Sequence, residues 1–169
     1  MAKLKQDNLP DCWIFDRAIL KWQRKTFVIV GVMDLQSRKL LAADVLHPLD
    51  PQKVANLLTT AVTKFGNPLA LVVGIDKVFQ TPLAKAAYEA AEVQPVDLRH
   101  GKVSVSIFIR SLWRSLEWEA IHCRQPAPSE ESFRQLILDW VTYYNVERFH
   151  QALGYDKPDR RWATLHGEI

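Results

Sequence analysis

Two aspartates and the polar face of one helix stand where this sequence could do chemistry. Asp16 interrupts the apolar run Cys12–Leu20 (CWIFDRAIL), which is short, rich in aromatic and β-branched residues, and therefore reads as a strand. A carboxylate inside a buried strand is costly unless paired, hydrogen-bonded or bound to metal, so Asp16 is either a site residue or a partly exposed edge position. Asp76 follows Leu69–Ile75 (LALVVGI), a continuous apolar run of the kind buried on both faces. Open α/β sheets place their sites outside the carboxyl ends of parallel strands, which is where Asp76 falls. Arg110 belongs to the stretch Leu98–Glu119 (LRHGKVSVSIFIRSLWRSLEWE), which reads as a helix from Val105 onward. Val105, Phe108, Ile109, Leu112 and Leu116 make its apolar face, and Ser106, Arg110, Arg114 and Glu117 make a polar front that can lie against strands carrying acids.

The elements that position these groups follow from periodicity and turn chemistry. Thr26–Asp34 (TFVIVGVMD) and Lys39–Val45 (KLLAADV) are two strands joined by the polar turn Leu35–Arg38, an antiparallel hairpin continuing a meander from the first strand. Asp34 begins that turn, and its role is turn hydrogen bonding rather than chemistry. Asp50 and Pro51 are an N-cap and first helical residue, opening a helix that Gly66 and Pro68 stop after Phe65. Thr81 and Pro82 open another, which runs to about Ala91. Val93–Leu98 is a short fifth strand, and Pro95 suits an edge. Ser129 caps the last main helix, which runs to about Asn145 and buries Phe133, Leu136, Ile137, Trp140, Val141 and Tyr144.

A chain of 169 residues, 48% hydrophobic, can bury one sizeable core. One domain is expected over residues 11–165, between an N-terminal tail at 1–10 and a C-terminal tail at 166–169. The net charge of +3 is compatible with a nucleic-acid partner without indicating one. No run approaches a membrane span and MAKLKQDNLP lacks the apolar core of a signal peptide, so a cytoplasmic protein with no membrane partner is expected. Cys12 and Cys123 have no metal-ligand spacing and read as buried or reduced thiols.

Trp13 with Asp16 on a first strand, the segment Met33-Asp34-Leu35-Gln36-Ser37-Arg38, and Asp76 after a fourth strand resemble the catalytic core of insertion-sequence transposases and retroviral integrases. The tail strengthens the resemblance. Tyr144-Asn145, Arg148, His150, Leu153-Gly154-Tyr155 and Pro158 match the form YNxxRxHxxLGYxxP found in bacterial transposases of this superfamily, and the similarity spans about residues 11 to 162.

The resemblance implies an α/β, ribonuclease-H-like fold with a mixed five-stranded sheet, three antiparallel strands and then two parallel, flanked by helices. It also implies DNA as partner, a homodimer, and two aspartates with a glutamate holding a pair of divalent ions, Mg2+ or Mn2+, for in-line attack on a phosphodiester. Asp16 matches the first acid and Asp76 the second. The third is replaced: against the family form ESFFxxLKxE this chain has Arg110-Ser111-Leu112-Trp113-Arg114-Ser115-Leu116-Glu117-Trp118-Glu119, with arginine at the glutamate position. Valine at 78 stands for the family's glycine two residues after the second acid, Ile75 for the small hydroxyl before it, and Ala18 for a threonine after the first acid. The Asp-Asn pair before the glutamate is absent from Lys102–Ile109, and Glu117 takes the place of a DNA-contacting lysine.

An arginine aimed at two aspartates removes a metal ligand and supplies a permanent cation that can bond either carboxylate bidentately. The expectation is an internal ion pair and loss of metal-dependent strand transfer; the plainer alternative is that Arg110 points into solvent. Three functions follow. The first is a catalytically degenerate core that binds DNA phosphates through residues including Lys77, Lys102, Arg110 and Arg114, or assists assembly. The second is an active strand-transfer enzyme with a non-standard third ligand, and the third is a dimerisation module without DNA binding. No helix-turn-helix precedes Asp11, where full transposases of this type generally carry one, so no sequence specificity is assigned.

Overall fold

The computed structural model of the chain describes residues 11–97 and 103–168. The strands are β1 (Cys12–Trp22), β2 (Lys25–Asp34), β3 (Leu40–Leu46), β4 (Ala70–Val73) and β5 (Pro95–Asp97). They form one sheet in the order β3-β2-β1-β4-β5. β1 pairs antiparallel with β2 and β2 with β3, while β4 runs parallel to β1 and β5 parallel to β4. The helices are α1 (Pro51–Phe65), α2 (Pro82–Ala90), α3 (Val103–Leu116), α4 (Glu130–Val146) and α5 (Pro158–His166).

Alternation along β1 divides the core in two. Ile14 and Leu20 face a layer containing Ile109, Leu112, Trp113 and Leu116 of α3 and Phe133, Ile137 and Trp140 of α4. Trp13 and Phe15 face the opposite layer, built from Val54 and Leu58 of α1, Phe79, and Ala84 and Tyr88 of α2. Three helices start where expected. Asp50 accepts from the backbone N–H of Gln52 and Lys53, Thr81 from Ala84, and Ser129 from Ser132. Asp34 Oδ2 accepts from both the backbone N–H and the hydroxyl of Ser37 at 2.6 Å, the turn role read from its position.

Four features differ from the expectation. β4 is shorter than Leu69–Ile75: its last bond to β1 is Gly74 N–H to Phe15 O at 2.8 Å, after which Ile75 turns outward, 56% exposed. Ser106, expected on the polar front of α3, is buried, and Trp113 joins the apolar face instead. The helical path runs past Glu119 and changes character, since Glu117–His122 continue α3 as a π-helical turn. Pro158 opens α5, a helix the apolar periodicity does not announce; its buried residues are Pro158 and Trp162. Among the described residues no helix is long and apolar enough to cross a membrane. Both cysteines are free, Cys12 buried and Cys123 exposed.

Candidate functional site

Asp16 does not lie on an edge strand, since β1 is the middle of the sheet. It is half-buried because β1 outruns β4. Pairing ends at Phe15 with Val73, and Asp16 is the next residue along. Its partner in β2 is Gly31. A Cβ at Gly31 would meet Trp113 Cη2 at 2.9 Å, so the missing side chain is what lets the Trp113 ring lie across the sheet beside Asp16. On the other flank a Cβ at Gly74 would overlap Asp16 Oδ1. Two glycines thus make room for one ring and one carboxylate.

Burial pushes the Asp16 carboxyl above the usual range, a rise partly offset by the Arg17 backbone N–H, the Trp113 indole, and the charges of Arg17 and Arg110. The Trp113 indole N–H favours the carboxylate without closing a hydrogen bond of normal geometry. The sign follows directly. A carboxyl whose pKa is higher folded than unfolded penalises the native state near neutrality, and the penalty lifts as pH falls through the folded pKa. Asp16→Asn is therefore expected to raise the urea midpoint at pH 7, with the gain disappearing in acid; a lowered midpoint at pH 7 would mean the carboxylate is well solvated or firmly paired.

Asp76 sits at the mouth of the turn after β4 and has both oxygens committed. Oδ1 caps the short 3-10 turn Lys77–Gln80 by accepting from Val78 N–H at 3.0 Å. Oδ2 accepts from Arg17 Nη2, completing an ion pair between side chains that are 29% and 23% exposed. Burial raises the Asp76 pKa, but the Val78 N–H, the Arg17 hydrogen bond and charge, and Lys77 together hold it below the usual range. The turn itself is anchored. Val78 and Phe79 are buried, Phe79 meets Phe15 edge-on at 4.8 Å, and Tyr88 Oη donates to Phe79 O at 2.9 Å.

Arg110 is exposed on α3 and forms no ion pair with either aspartate; it acts on Asp16 through its charge alone. The ion pair expected from Arg110 is not formed; Asp76 is paired instead with Arg17. Strand alternation places Arg17 on the face opposite Asp16, so periodicity alone does not point it at the site. The available signal was a base beside an acid in an otherwise apolar run. Lys77 and Arg114 are exposed, Arg114 one turn along α3 from Arg110, while Lys102 lies outside the described residues. Glu117 and Glu119, the other acids near the third position, are in the π turn. Glu119 is held by Arg148 and Trp140, away from the aspartates.

A pair of divalent ions does not fit this donor set. Such ions need several free oxygen ligands. Here one carboxylate is engaged by a cap and a guanidinium, the other is buried where its charged form is disfavoured, and the third position is a cation. Among the described residues, no three His, Cys, Asp or Glu side chains converge where they could hold a metal.

No protein-family model and no curated protein matches the sequence. Solved structures do. One is a chain in the cryo-EM structure of the simian T-cell lymphotropic virus intasome in complex with PP2A regulatory subunit B56 gamma, at 13% identity and a TM-score of 0.68 over 94% of this chain. The match covers 55% of that chain, so the present one spans about half of its length. The shared architecture, three antiparallel strands followed by two parallel ones between helical layers, is that of the ribonuclease-H-like, integrase-type fold.

Proposed function

We propose that this chain is an integrase-type core that has lost metal-dependent strand transfer and serves as a DNA-associated assembly module. The observation that carries the reading is the Arg17–Asp76 ion pair, which places a permanent cation on the second acid. Arginine at position 110 adds a second cation within electrostatic range of Asp16. Two cations near two acids neutralise them without magnesium, and a guanidinium offers no open coordination position for an attacking water or hydroxyl. DNA as partner rests on the resemblance of the tail and on the intasome to which the structural neighbour belongs. Arg110, Arg114 and Lys77 supply exposed charge for phosphates, and a homodimer is the assembly the resemblance implies.

The test is a manganese and magnesium titration followed by paramagnetic broadening near Asp16 and Asp76, with nicking of a labelled duplex in parallel. The wild type is expected to show no saturable binding and no nicking. Arg110→Glu combined with Arg17→Met releases Asp76 Oδ2, removes the cation near Asp16 and supplies a third carboxylate, and it is expected to gain saturable manganese binding. DNA affinity in the wild type should fall with salt at a log–log slope of about −3 if three phosphates are contacted. Metal-dependent nicking by the wild type through both aspartates would reject the reading; a dimer with no salt-sensitive affinity for DNA would reject its DNA half.

A further inference from the structure

A second site stands apart from the two aspartates, in a cleft of about 460 Å³ between α3, the β2–β3 turn and the segment following α4. Its lining includes the most demanding side chain of the described residues. Arg38 is 4% exposed, yet its Nε, Nη1 and Nη2 have no hydrogen-bond partner. The guanidinium instead lies on the Phe108 ring, Cζ 3.4 Å from the centroid. A cation–π contact satisfies the face of the guanidinium and leaves its in-plane N–H donors unmet. Backbone geometry fixes it there: Arg38 has φ of 65°, a left-handed conformation uncommon for a residue with a side chain, and the preceding Ser37 is clamped by Asp34. Asp34 reaches Arg38 only through its charge, and Glu119 is already taken by Arg148, so neither carboxylate closes an ion pair with Arg38.

His150, on the opposite wall, repeats the pattern. Its Nε2 is buried without a partner, and the ring meets that of Tyr144 edge-on with centroids 4.6 Å apart. Burial and the nearby Arg148 charge lower its pKa to about 4, so the ring is neutral at pH 7. Ser111 and Ser115, one turn apart on α3, present hydroxyls to the same space, and at the lip Phe149 and Tyr155 are 63% and 67% exposed. Lys157 Nζ stands 5.2 Å over the Phe149 ring and adds positive charge there. Unmet donors around an electropositive cleft call for a group with several acceptor oxygens and negative charge. The volume is that of a small-molecule site, and the exposed rings offer stacking surface for a planar base.

We propose that this cleft binds the phosphate group of a nucleotide or of a nucleic-acid strand, the oxyanion accepting from Arg38, Ser111 and Ser115 while Phe149 or Tyr155 stacks on the attached base. The proposal stands independently of the state of Asp16 and Asp76.

It is tested on the full chain by amide and histidine-ring NMR, titrating inorganic phosphate, a 5′-deoxynucleoside monophosphate and a short single-stranded oligonucleotide at constant ionic strength. Saturable shifts at Ser111, Ser115 and His150 are expected, with the His150 pKa rising in the bound state. The mononucleotide should bind at least about tenfold more tightly than inorganic phosphate through stacking. Equal affinities would retain the anion site and overturn the stacking. Tighter binding of the oligonucleotide would assign the site to a strand, and equal binding of mononucleotide and oligonucleotide to a free nucleotide. Ser111→Glu places a negative charge at an exposed position and should abolish binding with unchanged thermal stability. Arg38→Met should do the same if it folds. Absence of saturable shifts, or undiminished binding by Ser111→Glu, would overturn the site.

Discussion

Gly74→Ala is expected to destabilise the protein by about 3 kcal/mol, the upper end of what overpacking a rigid core costs. The new methyl would overlap Asp16 Oδ1 and stand 2.8 Å from Phe79 Cε2. Neither can retreat cheaply. Phe79 is fixed against Phe15 and by the Tyr88 hydrogen bond to its carbonyl, and Asp16 is hemmed in on its other flank by Trp113 over Gly31. Urea unfolding followed by tryptophan fluorescence measures the loss. Coupling it to Asp16→Ala, which vacates the contested space, should return about 1–2 kcal/mol of it. A Gly74→Ala protein within about 0.5 kcal/mol of wild type would show that the strand end is soft and that Asp16 is free to move.

Glu119→Ala is expected to cost about 3 kcal/mol, because three donor nitrogens from two side chains converge on one carboxylate. Arg148 Nη2 donates to Oε1 at 2.7 Å, its Nε bridges both oxygens at 3.0 and 3.1 Å, and Trp140 Nε1 donates to Oε2 at 3.0 Å. Truncation leaves a half-buried guanidinium and a buried indole N–H without an acceptor, which costs more than the interaction is worth in isolation. Burial alone would raise the Glu119 pKa, but the hydrogen bonds from Arg148 and Trp140 and the Arg148 charge outweigh it and hold the value below 4.5. A lowered carboxyl pKa contributes stability that is present above the unfolded value and lost as pH falls through the folded one. The difference between wild type and Glu119→Ala should therefore be full at pH 7 and shrink below about pH 4.5. A difference that does not change with pH would assign the effect to packing.

The succession of strands along the chain and four of the five helices were legible because their signals are local. Apolar alternation marks β1 and β2, the Asp50-Pro51 and Thr81-Pro82 pairs mark two helix starts, and Ser129 marks a third. The site was legible only as positions. Asp16 and Asp76 could be located on their strands, but what holds each carboxylate depends on side chains brought in from elsewhere. Arg17 reaches Asp76 across 59 positions of sequence, and Trp113 reaches the strand end through a gap left by Gly31. Glu119 was equally opaque, since the π turn shifts its direction relative to an unbroken α-helix and swings it to Arg148. α5 escaped notice because its burial rests largely on Trp162, whose ring meets Phe65 of α1 at 5.2 Å.

The outer margin of β3 is finished by α4 in an unusual way. Asn145 Oδ1 accepts from Leu40 N–H at 2.9 Å and its Nδ2 donates to Leu40 O at 2.8 Å, while Arg134 Nη1 donates to Val45 O at 2.6 Å. One amide side chain thus imitates the two-way pairing of a neighbouring strand, and a guanidinium occupies a carbonyl five residues further on. At the far margin β5 is only three residues long and begins with Pro95, which has no N–H to offer. A sheet finished in this way resists growth by docking of a foreign strand. Self-association that templates strand on strand is thereby disfavoured, and copies of the protein are left to meet through helical and loop surfaces.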